Sequence, residues 1–196
     1  MSYKENKVFL GITGQLGSGK TTLAKQISAN LIGQPEIYSI SKKFKEIIKE
    51  LELPYERVIL QETGDFFRKW DPLVWVKYVV RQIKQNNHLG GAIIDDIRYQ
   101  IERDYLFDNG FIIVRINAHD DVRKERILER DKHRKIGQEE WKKWNEHNTE
   151  TEVQAINVDY EIINNGSREE LLEETKILLN RLFKQKSSSL LEFVNK

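Results

Sequence analysis

Residues Gly14-Gln15-Leu16-Gly17-Ser18-Gly19-Lys20-Thr21 have the spacing G-x-x-x-x-G-K-T. Glycines in such a loop let the main chain wrap closely, so that successive N–H groups converge on phosphate oxygens. A helix starting near Lys20, with Thr21 and Thr22 in its first turn, adds the positive end of its dipole. Lys20 places an ammonium on the β- and γ-phosphates, and Thr21 offers a hydroxyl to Mg²⁺. Both flanks suit the motif. Val8-Phe9-Leu10-Gly11-Ile12 is a short apolar run of the kind found in a buried parallel strand. Leu23, Ile27 and Leu31 then recur every four residues, one face of a helix. The pattern implies ATP and Mg²⁺ as cofactors.

A second group of charged residues follows a second apolar run, Ala92-Ile93-Ile94-Asp95-Asp96. Ligands of open α/β sheets bind at the C-terminal ends of the strands. One carboxylate there can hold Mg²⁺ or its waters. Neighbouring residues on a strand face opposite ways, so the two acids take different roles. We assign Asp95, which follows the apolar run directly, to the metal side. Asp96 and Arg98 point the same way if the strand continues that far, and are candidates for an acceptor, Arg98 for its phosphate and Asp96 for a hydroxyl or the attacking oxygen. The plain alternative is a solvated strand end with a helix-capping Asp.

From Asp121 to Lys135 the chain reads DVRKERILERDKHRK. Arg123, Arg126, Arg130 and Arg134 fall at steps of three and four, on one helical face. Mobile arginines can stabilise the charge of a transferring phosphoryl group, and Arg126 and Arg130 are the candidates for that role. Glu125, Glu129 and Asp131 equally allow an ordinary salt-bridged surface. In QETGDFFRKWDPLVW, residues 61–75, aromatics surround Arg68. The segment reads either as core or as an acceptor pocket with a stacking ring and a phosphate-binding Arg68. The four histidines have no metal-ligand spacing. Trp141 and Trp144 read as packing.

The elements that position these residues alternate. Short apolar strands near 8–12, 37–40, 92–96, 111–116 and 158–163 are separated by helical patterns at 20–31, 44–51, 74–83, 99–109 and 120–147. A capping box, Ser167 with Glu170, opens a last helix to about Phe183. Such alternation implies a mostly parallel α/β sheet with right-handed crossovers. The 196 residues suit one domain over 1–185, with an acceptor region at about 41–90, a lid at about 120–147 and a loose tail at 186–196. The formal charge of +1, the acids interleaved in the basic stretch and the lack of stacking aromatics nearby argue against nucleic acid as partner. The absence of cysteine excludes disulfides and thiolate chemistry. No apolar run nears membrane-spanning length, and the N-terminus lacks signal-peptide shape. A cytoplasmic monomer or homodimer acting on a small molecule is expected.

In these segments the chain resembles the nucleoside monophosphate kinase branch of the P-loop kinases, above all the phage-type deoxynucleoside monophosphate kinases and the related phosphomevalonate kinases. ITGQLGSGKTTLA, ISKKFKEI, GDFFRKWDPLVWV, IIDDIRYQIE and VDYEIINNGSREEL occur in the family's order. The resemblance implies a three-layer α/β/α sandwich with a five-stranded parallel sheet in order 2-3-1-4-5 and a helical lid. It implies acceptor contacts from Ser41, Lys45, Arg68, Trp75, Asp96 and Arg98, and an ATP-base loop at Asn165 and Gly166. It departs from the family at Lys43 and Phe44, where a Pro is common, and at Tyr99-Gln100-Ile101-Glu102, which replaces Phe-Pro-Asn-Glu. The implied activity is transfer of the ATP γ-phosphoryl to a (deoxy)nucleoside monophosphate. Alternatives are phosphomevalonate or dephospho-coenzyme A as acceptor, or a regulatory ATPase without one.

Overall fold

The computed structural model describes residues 7–132, 139, 141, 142, 144 and 148–194. The sheet consists of β1 (Val8–Thr13), β2 (Glu36–Tyr38), β3 (Gly91–Ile97), β4 (Ile112–Asn117) and β5 (Tyr160–Ile163). Every pairing is parallel, and the order is β2-β3-β1-β4-β5, the order 2-3-1-4-5. Around it lie α1 (Lys20–Ala29), α2 (Lys42–Glu50), α3 (Arg57–Arg68), α4 (Val74–Asn86), α5 (Gln100–Asp108), α6 (Asp120–Arg130) and α7 (Arg168–Val194). A helical turn at Asn148–Thr151 and a 3-10 turn at Glu152–Gln154 lead into β5.

The two-residue period of the strands builds two cores. Val8, Leu10 and Ile12 of β1, Ile93 of β3 and Val114 and Ile116 of β4 face Leu23, Ala24 and Ile27 of α1 and Leu171, Leu178, Leu179 and Leu182 of α7. Ala92, Ile94 and Ile97 of β3 and Ile113 of β4 face Trp75, Val76, Val79 and Val80 of α4 and Leu106 of α5. This alternation decides where the acids beyond Ile94 go. Asp95 follows the parity of Ile93 toward α1, and Asp96 follows Ile94 toward the other layer. The alternation then ends in a bulge, where the register steps from Gly11 opposite Ile94 to Thr13 opposite Ile97 and Ile97 returns to the side of Ile94. Gly11 serves the same packing, because a Cβ there would overlap Ile97 and Ile113.

Three boundaries differ from the sequence reading. Residues 57–68 form a helix, α3, in a stretch read only as aromatic. Its Gly64 lies inside the helix where a Cβ would stand 3.1 Å from the Arg68 guanidinium, which favours the smallest residue. The helix expected over 120–147 stops at Arg130. Of its remainder, residues 133–138, 140, 143 and 145–147, including Arg134, lie outside the described residues. The final helix continues to Val194, through most of the expected tail. Its start is as expected, with Ser167 N–H donating to Glu170 at 2.7 Å and Glu170 N–H to Ser167 Oγ at 3.2 Å. Trp141 and Trp144 are buried with Ile127 and meet Leu16 of the phosphate loop. Among the described residues, no helix is long and apolar enough to cross a membrane.

Leu10 is fully buried at the centre of the sheet. Leu10→Ala is expected to cost about 2–5 kcal/mol of stability, measured as a lower midpoint in urea unfolding at unchanged slope.

Candidate active site at the phosphate loop

The loop from Gly14 to Gly19 leaves β1 at its C-terminal end and enters α1. Gly17 has φ +80°, and a Cβ there would stand 2.7 Å from the Arg123 carbonyl oxygen, so the position requires glycine twice over. Other parts of the chain brace the loop. Arg123, almost fully buried, donates to the Leu16 carbonyl at 3.0 Å and pairs with Asp120. Asn164 donates from Nδ2 to the Ser18 carbonyl at 2.8 Å. Gln154 donates to the Gln15 side chain at 3.0 Å.

Lys20 lies inside this loop and donates to the carbonyls of Gly14 at 2.7 Å and Gln15 at 2.9 Å. Burial, followed by the nearby Arg98 guanidinium, pulls its pKa down to about 7, against the opposing pull of Glu150, Asp96 and Asp95. Thr21 donates its hydroxyl to Asp95 Oδ2 at 2.8 Å. Burial and the Asp96 charge hold the Asp95 carboxyl above its usual range, opposed by the Thr21 hydrogen bond, Lys20 and Lys45. A hydroxyl paired with one carboxylate at the phosphate loop fits Mg²⁺, which is bound through one or two carboxylates, waters and substrate phosphates. Among the described residues there is no cluster of three or more His, Cys, Asp or Glu that would make a protein-only cage.

Asp96 faces the other layer, as parity requires. It accepts from Ser39 Oγ at 2.7 Å and from the N–H groups of Ile40 at 2.6 Å and Ser41 at 3.0 Å. Burial pushes its pKa up, but these hydrogen bonds outweigh it and hold Asp96 below the usual carboxylate range. The carboxylate thereby ties the turn that starts α2 to the end of β3. A cavity of about 130 Å³ opens beside it, lined by Ser41, Phe44, Lys45, Gln61, Arg68, Asp96, Arg98 and Glu150, among others. Arg68 is held by Glu102 at 3.1 Å and Asp65 at 3.2 Å and lies over the Tyr99 ring, 4.6 Å from its centroid. Glu102 is fully buried and also accepts the Arg98 N–H at 3.0 Å. Arg98 donates to Glu150 Oε1 at 2.9 Å.

Five of the six acceptor-side candidates, Ser41, Lys45, Arg68, Asp96 and Arg98, thus line one cavity. Trp75 does not line it. Its ring is only 4% exposed, its indole N–H donates to the Gly64 carbonyl at 3.0 Å, and it packs edge-on against Phe44 and Phe67. Its place is therefore to support Phe44, which does line the cavity. The arginines of α6 do not gather around Lys20. Arg126 donates to the carbonyls of Asn164 at 2.9 Å and Gly166 at 2.8 Å, and Arg130 is paired with Asp131 at the surface. Asn165 accepts the His119 N–H at 2.7 Å, so the proposed base-side loop is clamped to the start and middle of α6.

Sequence reasoning did not pick out Glu150, Glu102, Asn164, Arg123 as a loop brace, or Gln61. Glu102 had a signal, four residues after Arg98 at the start of a helix. Glu150 had none, standing among several acids in a segment without a motif.

The fold is that of a P-loop kinase. A sequence model of the family described as AAA domain matches residues 10–153, and the chain belongs to that family. No curated protein matches it in sequence. Among solved structures it is similar to a sugar kinase from Janibacter sp. (15% identity, TM-score 0.56, covering 89% of this chain and 95% of that one). It is also similar to a gluconokinase from Sinorhizobium meliloti 1021 (14% identity, TM-score 0.57, covering 93% and 97%). A third similar structure is the shikimate kinase from Acinetobacter baumannii in complex with shikimate (15% identity, TM-score 0.57, covering 93% and 96%).

With its pKa near 7, Lys20 is largely neutral at pH 8.5 before ligand binds. A bound triphosphate favours the ammonium, so binding takes up a proton, and affinity falls as pH rises above 7. Calorimetry at pH 8.5 in buffers of different ionisation enthalpy should show net proton uptake on ATP binding, and Lys20→Met should abolish it.

Proposed function

We propose that the protein is a phosphotransferase that moves the γ-phosphoryl of ATP, with Mg²⁺, to the phosphate of a (deoxy)nucleoside monophosphate, giving the diphosphate. The observation that carries this reading is the convergence of Lys45, Arg68 and Arg98 on one cavity that also reaches Glu150 at the phosphate loop. Arg68 and Arg98 are held by Asp65, Glu102 and Glu150, and two guanidinium groups oriented on one cavity suit an acceptor that is itself a phosphate. The far part of the cavity suits a ring. Phe44 offers an aromatic surface, and Gln61 carries a buried side-chain nitrogen without a hydrogen-bond partner.

In this reading Lys20 and the loop N–H groups carry the charge of the transferring group, Arg98 and Arg68 orient the acceptor phosphate, and Thr21 and Asp95 would hold the metal. A Mg²⁺ ion held there would supply neutralisation of the charge that develops on the phosphate oxygens. The acceptor oxygen is already ionised near neutral pH, so positioning and electrostatics supply the catalysis and no general base is needed. Phosphomevalonate meets the same requirement and is the alternative that the panel below separates. A hydroxyl acceptor, as in the sugar, gluconate and shikimate kinases that share the fold, calls for a base. Asp96 lines the cavity, but three hydrogen bonds depress its pKa and make it a weak base. That disfavours the second reading.

ADP release from Mg·ATP, measured against nucleoside and deoxynucleoside monophosphates, phosphomevalonate, dephospho-coenzyme A and shikimate, is expected to be stimulated by one or a few monophosphates. Stimulation by a hydroxyl acceptor alone would overturn the reading, and stimulation by none would favour a regulatory ATPase. Lys20→Ala should lower turnover by about 10²–10³-fold, the loss typical of a removed charge-stabilising donor. Arg98→Ala should raise KM for the acceptor far more than KM for ATP. Equal increases would take Arg98 out of the acceptor site.

A further inference from the structure

Glu150 is fully buried, and its two carboxylate oxygens hold opposite sides of the site. Oε2 accepts the Leu16 N–H, a main-chain donor of the phosphate loop, at 2.6 Å. Oε1 accepts from the Arg98 guanidinium, the acceptor-side cation, at 2.9 Å. The same charge acts on Lys20. A loop N–H, an arginine and the loop lysine are the donor set that a transferring phosphoryl group requires. An internal carboxylate holds the first two of these donors, while Lys20 donates to the Gly14 and Gln15 carbonyls beside it.

We infer that Glu150 is a stand-in anion that phosphate must displace, and that it couples the two substrates. The inference rests on the phosphotransferase reading above. Burial of Glu150 is tolerated because both oxygens are satisfied by charged or loop donors. Phosphate oxygens compete for the same donors with more charge. The residue stands on the four-residue turn Asn148–Thr151, while the chain beyond it is anchored by the buried Val153 and Ile156. Because one carboxylate holds both a donor-side and an acceptor-side group, the first ligand to expel it frees both. The second ligand then binds without that cost, which is positive coupling between ATP and acceptor.

Inorganic tripolyphosphate tests the displacement without any assumption about the acceptor. Glu150→Gln keeps the shape and removes the charge. It is expected to bind tripolyphosphate about tenfold more tightly than the wild type in calorimetry, about 1.4 kcal/mol. Equal or weaker binding would overturn the inference while leaving the kinase reading to stand or fall on ADP release. The wild type supplies a second measurement should the variant fail to fold. On adding tripolyphosphate, amide hydrogen exchange should quicken in residues 148–152 and slow in residues 14–22. Unchanged exchange at 148–152 would overturn the proposal. Where the acceptor is identified by the panel, ATP should bind more tightly in its presence to the wild type, and the enhancement should be lost in Glu150→Gln. Its persistence there would remove Glu150 from the coupling.

Discussion

An ammonium buried at the edge of a parallel sheet governs the arrangement of this site. Lys20 is anchored to loop carbonyls rather than to a carboxylate, yet three carboxylates and a guanidinium act on it. Burial of a cation is tolerated only where the surrounding charges are nearly balanced. Here the balancing carboxylates come from widely separated parts of the chain, Asp95 and Asp96 from β3 and Glu150 from the approach to β5, and Arg98, just beyond β3, opposes them as a like charge. The loop conformation, the registry of β3 beside β1 and the position of residue 150 are therefore one electrostatic arrangement. A phosphate entering it replaces part of the balance, which makes the site responsive to anions.

The division of labour between Asp95 and Asp96 shows how little machinery it takes to give identical side chains different chemistry. They are neighbours in sequence and share a strand, but the pleat sends one to Thr21 on α1 and the other to the Ser39–Ser41 turn before α2. Burial raises the first, and hydrogen bonds lower the second. One faces the first turn of α1 after the phosphate loop, and the other fastens the wall of the neighbouring cavity. The two-residue period that fills the two cores also sorts the functional groups, so a one-residue slip of β3 would exchange both at once.

What could be read from the sequence follows from how local each signal is. The phosphate loop, the strand order implied by its family resemblance and the parity of Asp95 and Asp96 rest on contiguous residues. The cavity arginines were legible as candidates because Arg68 and Arg98 lie in segments with composition of their own. Trp75 was misplaced because an aromatic in an acceptor segment looks the same whether it lines a cavity or supports the ring that does. Helix α3 was hidden by Gly64 and by aromatics that suit several states. Arg123 and Arg126 have the spacing of a mobile cationic face, but the first is buried against the loop and the second clamps Asn164 and Gly166, contacts set by tertiary packing. Glu150 could not be found at all, since its partners stand 134 and 52 residues away in sequence.

The bracing of the phosphate loop has a consequence for how the site can move. Arg123 and Asn164 hold the carbonyls of Leu16 and Ser18, and Leu16 itself packs on Ile127, Trp141 and Trp144. The acceptor wall is held with equal care through Asp96 and through Glu102, which binds both Arg68 and the Arg98 N–H. Two rigid walls then face each other, and the element spanning the gap is a side chain on a short turn. Pre-organised donors cost no rearrangement at the moment of reaction. Concentrating the adaptable part in one carboxylate leaves both walls in working geometry before either substrate arrives. The proposed exchange of that carboxylate for phosphate asks for no change in the braces of either wall.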